Sequence, residues 1–172
     1  MTPDLRTGRL LLEAYRPEDE DEFVGLFQNP LVSRWMGEGT ETEESDRALF
    51  GRIFDKVYAQ GLFDVWAVRR AGGGPVIGHA EIKRTEQVDG HEIVYALAPE
   101  AWGSGLGTEL ARAVIGYGWA TLGLAEVYAT VAAPNEGSLV LLDRLGFRWV
   151  RDIAEEDGST TRVLVLPRPA GG

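Results

Sequence analysis

Cysteine is absent from this chain of 172 residues, which excludes disulfide bonds, thiolate metal ligands and a cysteine nucleophile. Histidine is scarce: His79 and His91 are the only two, which argues against a protein-ligated zinc site, so no metal is expected. No apolar run approaches the roughly 18 residues of a membrane-spanning helix. The opening MTPDLRTGRL has no apolar stretch of the kind that marks a secretory signal, and the expected location is therefore cytoplasmic. Positive charge is also in deficit. Seventeen Lys and Arg face 27 Asp and Glu, a net charge of −10 that repels nucleic-acid backbones. Neither nucleic acid nor membrane is an expected partner. The length and composition fit one globular domain over 1–172, large enough to bury a core.

The charge deficit is concentrated near the N-terminus. Eleven acids (Glu13, Glu18, Asp19, Glu20, Asp21, Glu22, Glu38, Glu41, Glu43, Glu44 and Asp46) are opposed there only by Arg16 and Arg34, leaving −9. Such a field attracts cations, including protonated amines. The same pattern also arises when acids occupy the first turns and solvated faces of two helices.

Periodicity orders the elements. Arg9–Tyr15 reads as a strand, and Pro17 opens an acidic helix toward Gln28, which Asn29-Pro30 ends. Thr42–Gln60 places Leu49, Ile53 and Val57 at helical spacing, with Phe50 and Phe54 beside them, and Gly61 stops it. Asp64–Arg70 and Val76–Arg84 are β-rich runs joined by Gly72-Gly73-Gly74, which predicts a hairpin, and His91–Leu97 is a third strand. Leu106, Leu110 and Val114 restore the helical period from Gly105 to Leu122. A strand (Glu126–Val131), a short helix (Glu136–Leu145) and two closing strands (Arg148–Ile153 and Thr160–Leu166) follow. Strand, helix, strand implies a right-handed crossover and a locally parallel pair. The expected fold is therefore α/β (α+β): a mixed, mostly antiparallel sheet with one parallel pair, flanked by about four helices. A loose tail covers 167–172.

Between the third strand and the long helix lies Trp102-Gly103-Ser104-Gly105-Leu106-Gly107-Thr108. Alternating glycines bring backbone N–H groups close to a ligand, and a helix start adds unpaired donors and partial positive charge. Together they can cradle a pyrophosphate, although a plain strand-to-helix turn also favours glycine. The spacing is neither that of a nucleotide-triphosphatase phosphate loop nor that of the dinucleotide-binding G-x-G-x-x-G.

In this order the segments resemble the GNAT superfamily of N-acetyltransferases, most closely the branch that includes the ribosomal-protein-alanine acetyltransferases. Glu92–Pro99 followed by Trp102–Leu110 looks like the family's central strand, pyrophosphate loop and helix start. Pro134-Asn135-Glu136-Gly137-Ser138 with Leu145-Gly146-Phe147 looks like its second coenzyme-side motif, and Leu5–Leu12 matches the branch's first strand. The chain departs from the superfamily at Trp102, where Arg or Gln is common. It departs again at Leu142, where a tyrosine general acid is frequent.

The resemblance implies acetyl-CoA as cosubstrate and a primary amine as acceptor, and the acidic field suits a cationic one. The N-terminal third would form the acceptor side and 91–147 the acyl-CoA-binding core. Pantetheine would run along the strand ending at Leu97 and Ala98, with an N–H near Leu97 facing the oxyanion. The pyrophosphate would rest on Trp102, Gly103, Ser104, Gly105, Leu106, Gly107 and Thr108. Ser138 would donate to the leaving sulfur and Asn135 would orient the coenzyme; both also suit a helix start, Asn135 as its N-cap. Glu92 is the first candidate base and Glu81 the second, each equally readable as a solvated or hydrogen-bonded strand carboxylate. Trp35 and Met36 are candidates to line the acceptor pocket, and Arg144 to reach a coenzyme phosphate. A larger anionic acyl group would need Arg34 or Arg47, and a CoA-binding module without catalysis is a further alternative. Homodimers are common in the branch.

Overall fold

Alternating strand residues carry the architecture, because the central strands β3, β4 and β5 bury side chains on both faces of one sheet. The computed structural model describes residues 1–37 and 39–171; Glu38 of the acidic run and Gly172 of the tail lie outside them. Eight strands form the sheet: β1 (Leu5–Arg6), β2 (Leu10–Glu13), β3 (Asp64–Arg70), β4 (Gly78–Thr85), β5 (Gly90–Leu97), β6 (Glu126–Ala132), β7 (Arg148–Ala154) and β8 (Thr160–Pro167). Their order is β1-β2-β3-β4-β5-β6-β8-β7, antiparallel except for β5 and β6.

One face carries α4 (Leu106–Ala120) and α5 (Glu136–Arg144). Leu106, Leu110 and Val114 of α4 are fully or almost fully buried there against Leu12, Trp66, Ala80 and Ile93. The opposite face carries α1 (Glu20–Gln28), α2 (Pro30–Ser33) and α3 (Glu43–Arg52), the last running into a π-helical stretch over Ile53–Tyr58. Phe23, Phe50 and Ile53 pack there against Tyr15, Val65 and Ala67. The sheet is thus the middle of three layers.

Among the described residues five helices flank the sheet, where about four were expected. Asn29 ends α1 and its side chain then accepts from Leu31 N–H, so the same residue caps the short α2. Of the expected seam Leu49, Ile53 and Val57, Ile53 is buried as expected while Phe50 takes the place of Leu49. Phe50 is 3% exposed and Leu49 42%, because the edge-on contacts of Phe50 with Tyr15 and Phe54 occupy the core position. β4 begins at Gly78 rather than Val76, since the Val76 N–H donates to the Glu22 carboxylate outside the ladder. At the C-terminus β8 continues through Pro167, and the Arg168 N–H donates to the Ala125 carbonyl.

The acidic N-terminal run is largely absorbed by partners. Arg69 of β3 donates to Asp19 at 2.7 Å and to Glu13 at 2.8 Å, with all three side chains at least 86% buried. Arg47 pairs with Glu20, Asp21 and Glu43, and Asp46 accepts from Gln28. A charge count confined to residues 13–46 omits Arg69, which tertiary folding brings in from outside. Replacing Arg69 with Ala strips Asp19 of its buried cation, and the expected loss is about 3–5 kcal/mol. Urea unfolding measures it; a loss under about 1 kcal/mol would show that this cluster does not hold α1 to the sheet.

Candidate active site

The parallel pair is the irregular point of the sheet. β5 and β6 register at one position, Glu92 opposite Tyr128, whereas β5 registers with β4 along its whole length. From Ile93 to Leu97, among the described residues, β5 has no ladder partner on its β6 side, which leaves a cleft in the hydrogen-bond ladder there. The Ala96 carbonyl lies against β4, 2.5 Å from where a Cβ on Gly78 would stand. Because backbone groups alternate along a strand, those of Tyr95 and Leu97 face the cleft. Trp102 Nε1 caps the Leu97 carbonyl at 2.8 Å, leaving the Leu97 N–H as the donor. Ala98 differs, since its N–H donates to the Ile77 carbonyl at 2.8 Å. Of the two expected coenzyme contacts on this strand, Leu97 therefore offers an N–H and Ala98 does not.

The glycine turn lies at the open end of the cleft. Gly103 and Gly105 have φ of 82° and 80°, a backbone that a side chain would strain. Gly107 is already inside α4, and a Cβ there would meet Leu141 at 3.0 Å. Trp102, Gly103, Ser104 and Gly105 are exposed, Gly107 and Thr108 half-buried and Leu106 buried. No side chain caps the start of α4. An acid in the first turn, Glu109, would compete with an anion for these donors. It is instead held by Thr7 (2.5 Å) and Arg9 (2.9 Å), and the Thr7 hydroxyl, with Arg9, lowers its pKa. Arg9 also donates to the Ser104 carbonyl at 2.8 Å. Periodicity gave no sign of this brace. Its trace in the sequence is Thr7 and Arg9 in the opening segment, whose pattern otherwise signals only a strand.

Two side-chain hydrogen bonds cross the cleft, one on each face. On the α1–α3 side, Thr130 of β6 donates to Glu92 at 2.8 Å. Glu92 is 7% exposed, and burial raises its pKa, a shift that Thr130 and Lys83 moderate. On the α4–α5 side the Tyr95 hydroxyl meets the Ser138 hydroxyl at 3.1 Å. Asn135 is the N-cap of α5, accepting from the Ser138 N–H at 3.4 Å. Tyr95 was not singled out by sequence, because an alternating strand offers a tyrosine no distinctive context. Leu142 is 0% exposed in the core, and its aliphatic side chain has no proton to give.

Glu81 belongs to a different arrangement. Its Oε1 lies 2.9 Å from His79 Nε2, and His79 Nδ1 lies 2.7 Å from the buried Tyr15 hydroxyl. Lys83 Nζ stands 2.9 Å from Oε2 as an ion pair without hydrogen-bond alignment. Burial favours the neutral acid, but His79 and Lys83 outweigh it and bring Glu81 down to about 2. That is a poor base at neutral pH. His79 itself is packed among Phe23, Phe27 and Tyr15.

At the end of β5 a cleft of about 230 Å³ is lined by Glu22, Leu26, Asn29, Val76, Ala98 and Glu100. Met36 packs beside Ala98 and Leu26, while Trp35 carries the Arg34 guanidinium over its ring at 5.0 Å. Arg144 and Trp149 are exposed. His91 is half-buried, and burial with the neighbouring Arg84 lowers its pKa. Among the described residues no helix is long and apolar enough to cross a membrane, and no group of three His, Asp or Glu is placed to hold a metal.

A mixed sheet that parts beside a glycine-rich helix start defines an acyltransferase scaffold, and comparison places the chain within it. The chain belongs to the GNAT acetyltransferase family, whose acetyltransferase (GNAT) domain matches residues 9–148. It is 31% identical over 153 residues to the uncharacterized N-acetyltransferase YoaA of Bacillus subtilis (strain 168), covering 86% of this chain and 84% of that protein. Its fold is shared by a ribosomal-protein-S5-alanine acetyltransferase from Vibrio fischeri (TM-score 0.77, 14% identity, 99% of each chain). It is also shared by a spermidine N-acetyltransferase from Vibrio cholerae solved with CoA and spermine (TM-score 0.76, 21% identity, 94% of this chain and 96% of that one).

The two carboxylates predict opposite linkage. Burial raises the Glu92 pKa, so its ionised form costs folded stability above the unfolded value of about 4.3 and costs nothing well below it. Glu92→Gln should therefore raise Tm at pH 7, and the gain should vanish by about pH 3. Glu81 is lowered to about 2; its stabilisation is present above about 4.3 and fades as pH falls toward 2, so Glu81→Gln should lower Tm at pH 7. Thermal melts across that range check both signs, and a Tm loss in Glu92→Gln at pH 7 would contradict the first.

Proposed function

We propose that this enzyme moves an acetyl group from acetyl-CoA to a primary amine by direct attack on the thioester. The observation that carries this reading is the parted β5–β6 pair, with a free N–H at Leu97 beside the uncapped start of α4. In this reading the pyrophosphate rests on the backbone from Trp102 to Thr108. Arg112, which lines the groove beside Gly105 and Thr108, supplies nearby positive charge while Arg9 is spent on Glu109, so Arg144 is not needed for it. The Leu97 N–H donates to the oxyanion, a contribution of about 2.7–4 kcal/mol at comparable acyl-transfer sites.

The acceptor enters from the α1–α3 side. An alkyl amine has a pKa of about 10.4 and must lose a proton before it attacks. Glu92 receives that proton, because its raised pKa makes it the better base than Glu81. Five residues of strand separate Glu92 from Leu97, about 16 Å at roughly 3.3 Å per residue, so the proton travels through water. Ser138 donates to the departing sulfur, and Asn135 holds the start of α5. Glu22 and Glu100 in the small cleft favour an acceptor that arrives positively charged. Of the two arginines that would suit an anionic acyl group, Arg47 is tied to three carboxylates and Arg34 lies over Trp35. Acetyl is accordingly preferred to succinyl.

Acetyl-CoA at millimolar concentration should raise Tm by mass action, and a panel of peptides and polyamines should reveal thiol release with at least one amine. Glu92→Gln should lower kcat by about 10²-fold or more with little change in acetyl-CoA affinity. Absence of a Tm shift would sink the coenzyme assignment. A shift without thiol release on any amine would instead identify a CoA-binding module.

A further inference from the structure

Acyl transfer leaves a sulfur anion on the coenzyme side of the sheet, opposite the face that carries Glu92. β5 alternates, so Glu92 shares the α1–α3 face with Ala96 while Ile93, Tyr95 and Leu97 share the α4 face. A carboxylate on one face has no direct route to a thiolate on the other. A separate proton source on the α4 side follows from the geometry, and the position where a helical tyrosine would stand holds the buried Leu142.

We infer that Tyr95 and Ser138 form a two-hydroxyl relay that protonates the departing thiolate, Ser138 touching sulfur and Tyr95 resupplying Ser138. The inference rests on the acetyl-transfer reading above. Tyr95 lies three residues past the last registered β5–β6 pair, and Ser138 opens the helix that follows β6. Their 3.1 Å contact therefore spans the parted strands, from a strand position two residues before Leu97. With Tyr95 donating to Ser138 Oγ, the serine's own proton is free to point into the cleft.

The acidities require two groups. A leaving thiol has a pKa of about 8.5 and tyrosine about 10, while a serine hydroxyl is a far weaker acid that cannot give up its proton unless it receives another at once. The phenol is half-buried, and burial raises its pKa while Ser138 lowers it, so it retains its proton at neutral pH. The N–C bond forms as the amine proton passes through water to Glu92, and the C–S bond breaks with its electron pair leaving on sulfur. Sulfur takes the Ser138 proton, Ser138 takes the Tyr95 proton, and the phenolate recovers a proton from water.

The test compares Tyr95→Phe, Ser138→Ala and the double variant in thiol release from acetyl-CoA with an amine that the wild-type protein accepts. Calorimetric affinity for CoA and Tm are measured on the same samples. Tyr95→Phe keeps the ring in place and should lower kcat at least tenfold with CoA affinity unchanged within about twofold. Ser138→Ala should lower it as much, and the double variant no further, because the two hydroxyls act in series. The Tyr95→Phe defect should also shrink as pH rises above about 8.5, where the coenzyme leaves as a stable thiolate that needs no proton. Unchanged kcat in Tyr95→Phe, losses that multiply in the double variant, or a loss confined to CoA affinity would each overturn the relay while leaving the transferase reading intact. Absence of thiol release by the wild-type protein with every amine would overturn both.

Discussion

The parting of β5 from β6 is the constraint on which the rest of the site depends. A parallel pair that registers once, at Glu92 and Tyr128, leaves one edge of a central strand with unpaired main-chain groups. An exposed edge in the middle of a sheet is costly to leave unpaired, and an extended ligand arm is a natural partner for it. The three layers hold the gap open. α4 and its core residues grip β5 from one side, and α5 follows β6 on the other, so closing the gap would disturb packing already completed around Leu106, Leu110 and Leu142.

The brace between Thr7, Arg9 and Glu109 extends that constraint to the glycine turn. The β1–β2 hairpin lies at the edge of the sheet in strand order, yet its Arg9 fixes both a carbonyl of the turn and a carboxylate of α4. The consequence is electrostatic. An acid that would oppose an anion at the helix start is neutralised in place, while the backbone donors of the turn stay exposed. The N-terminal segment thus acts on coenzyme-side geometry, although the acceptor side is where its acidic sequence first directs attention.

The two hydrogen bonds across the gap divide the chemistry by face. Glu92 with Thr130 lies toward the acidic helices, and Tyr95 with Ser138 lies toward α4 and α5. Alternation along one strand is enough to place a carboxylate and a pair of hydroxyls on opposite faces. Glu81 shows the converse: two residues of shift along β4 from Lys83, beside His79, produce a carboxylate held ionised to about 2. The same residue type takes a different character from its neighbours alone.

Much of this was legible beforehand. Helical spacing placed Leu106, Leu110 and Val114 on the buried face of α4, the glycines marked the turn, and strand–helix–strand order required the parallel pair. These are local signals, and local backbone geometry enforces them. The expected role of Leu97 was also stated from position, but only the direction of the Ala96 carbonyl separates Leu97 from Ala98. The charge of the N-terminal third was misleading when read alone, since Arg69, from a strand some fifty residues on, neutralises its buried acids. Tyr95 carried no mark until α5 brought Ser138 to it across the gap. Sequence by itself determined the family, the order of elements and the site of the turn, because periodicity and glycine act within a few residues. Tertiary structure alone decided which carboxylate is poised, which N–H is free and which hydroxyls meet, because burial and long-range partners set those properties.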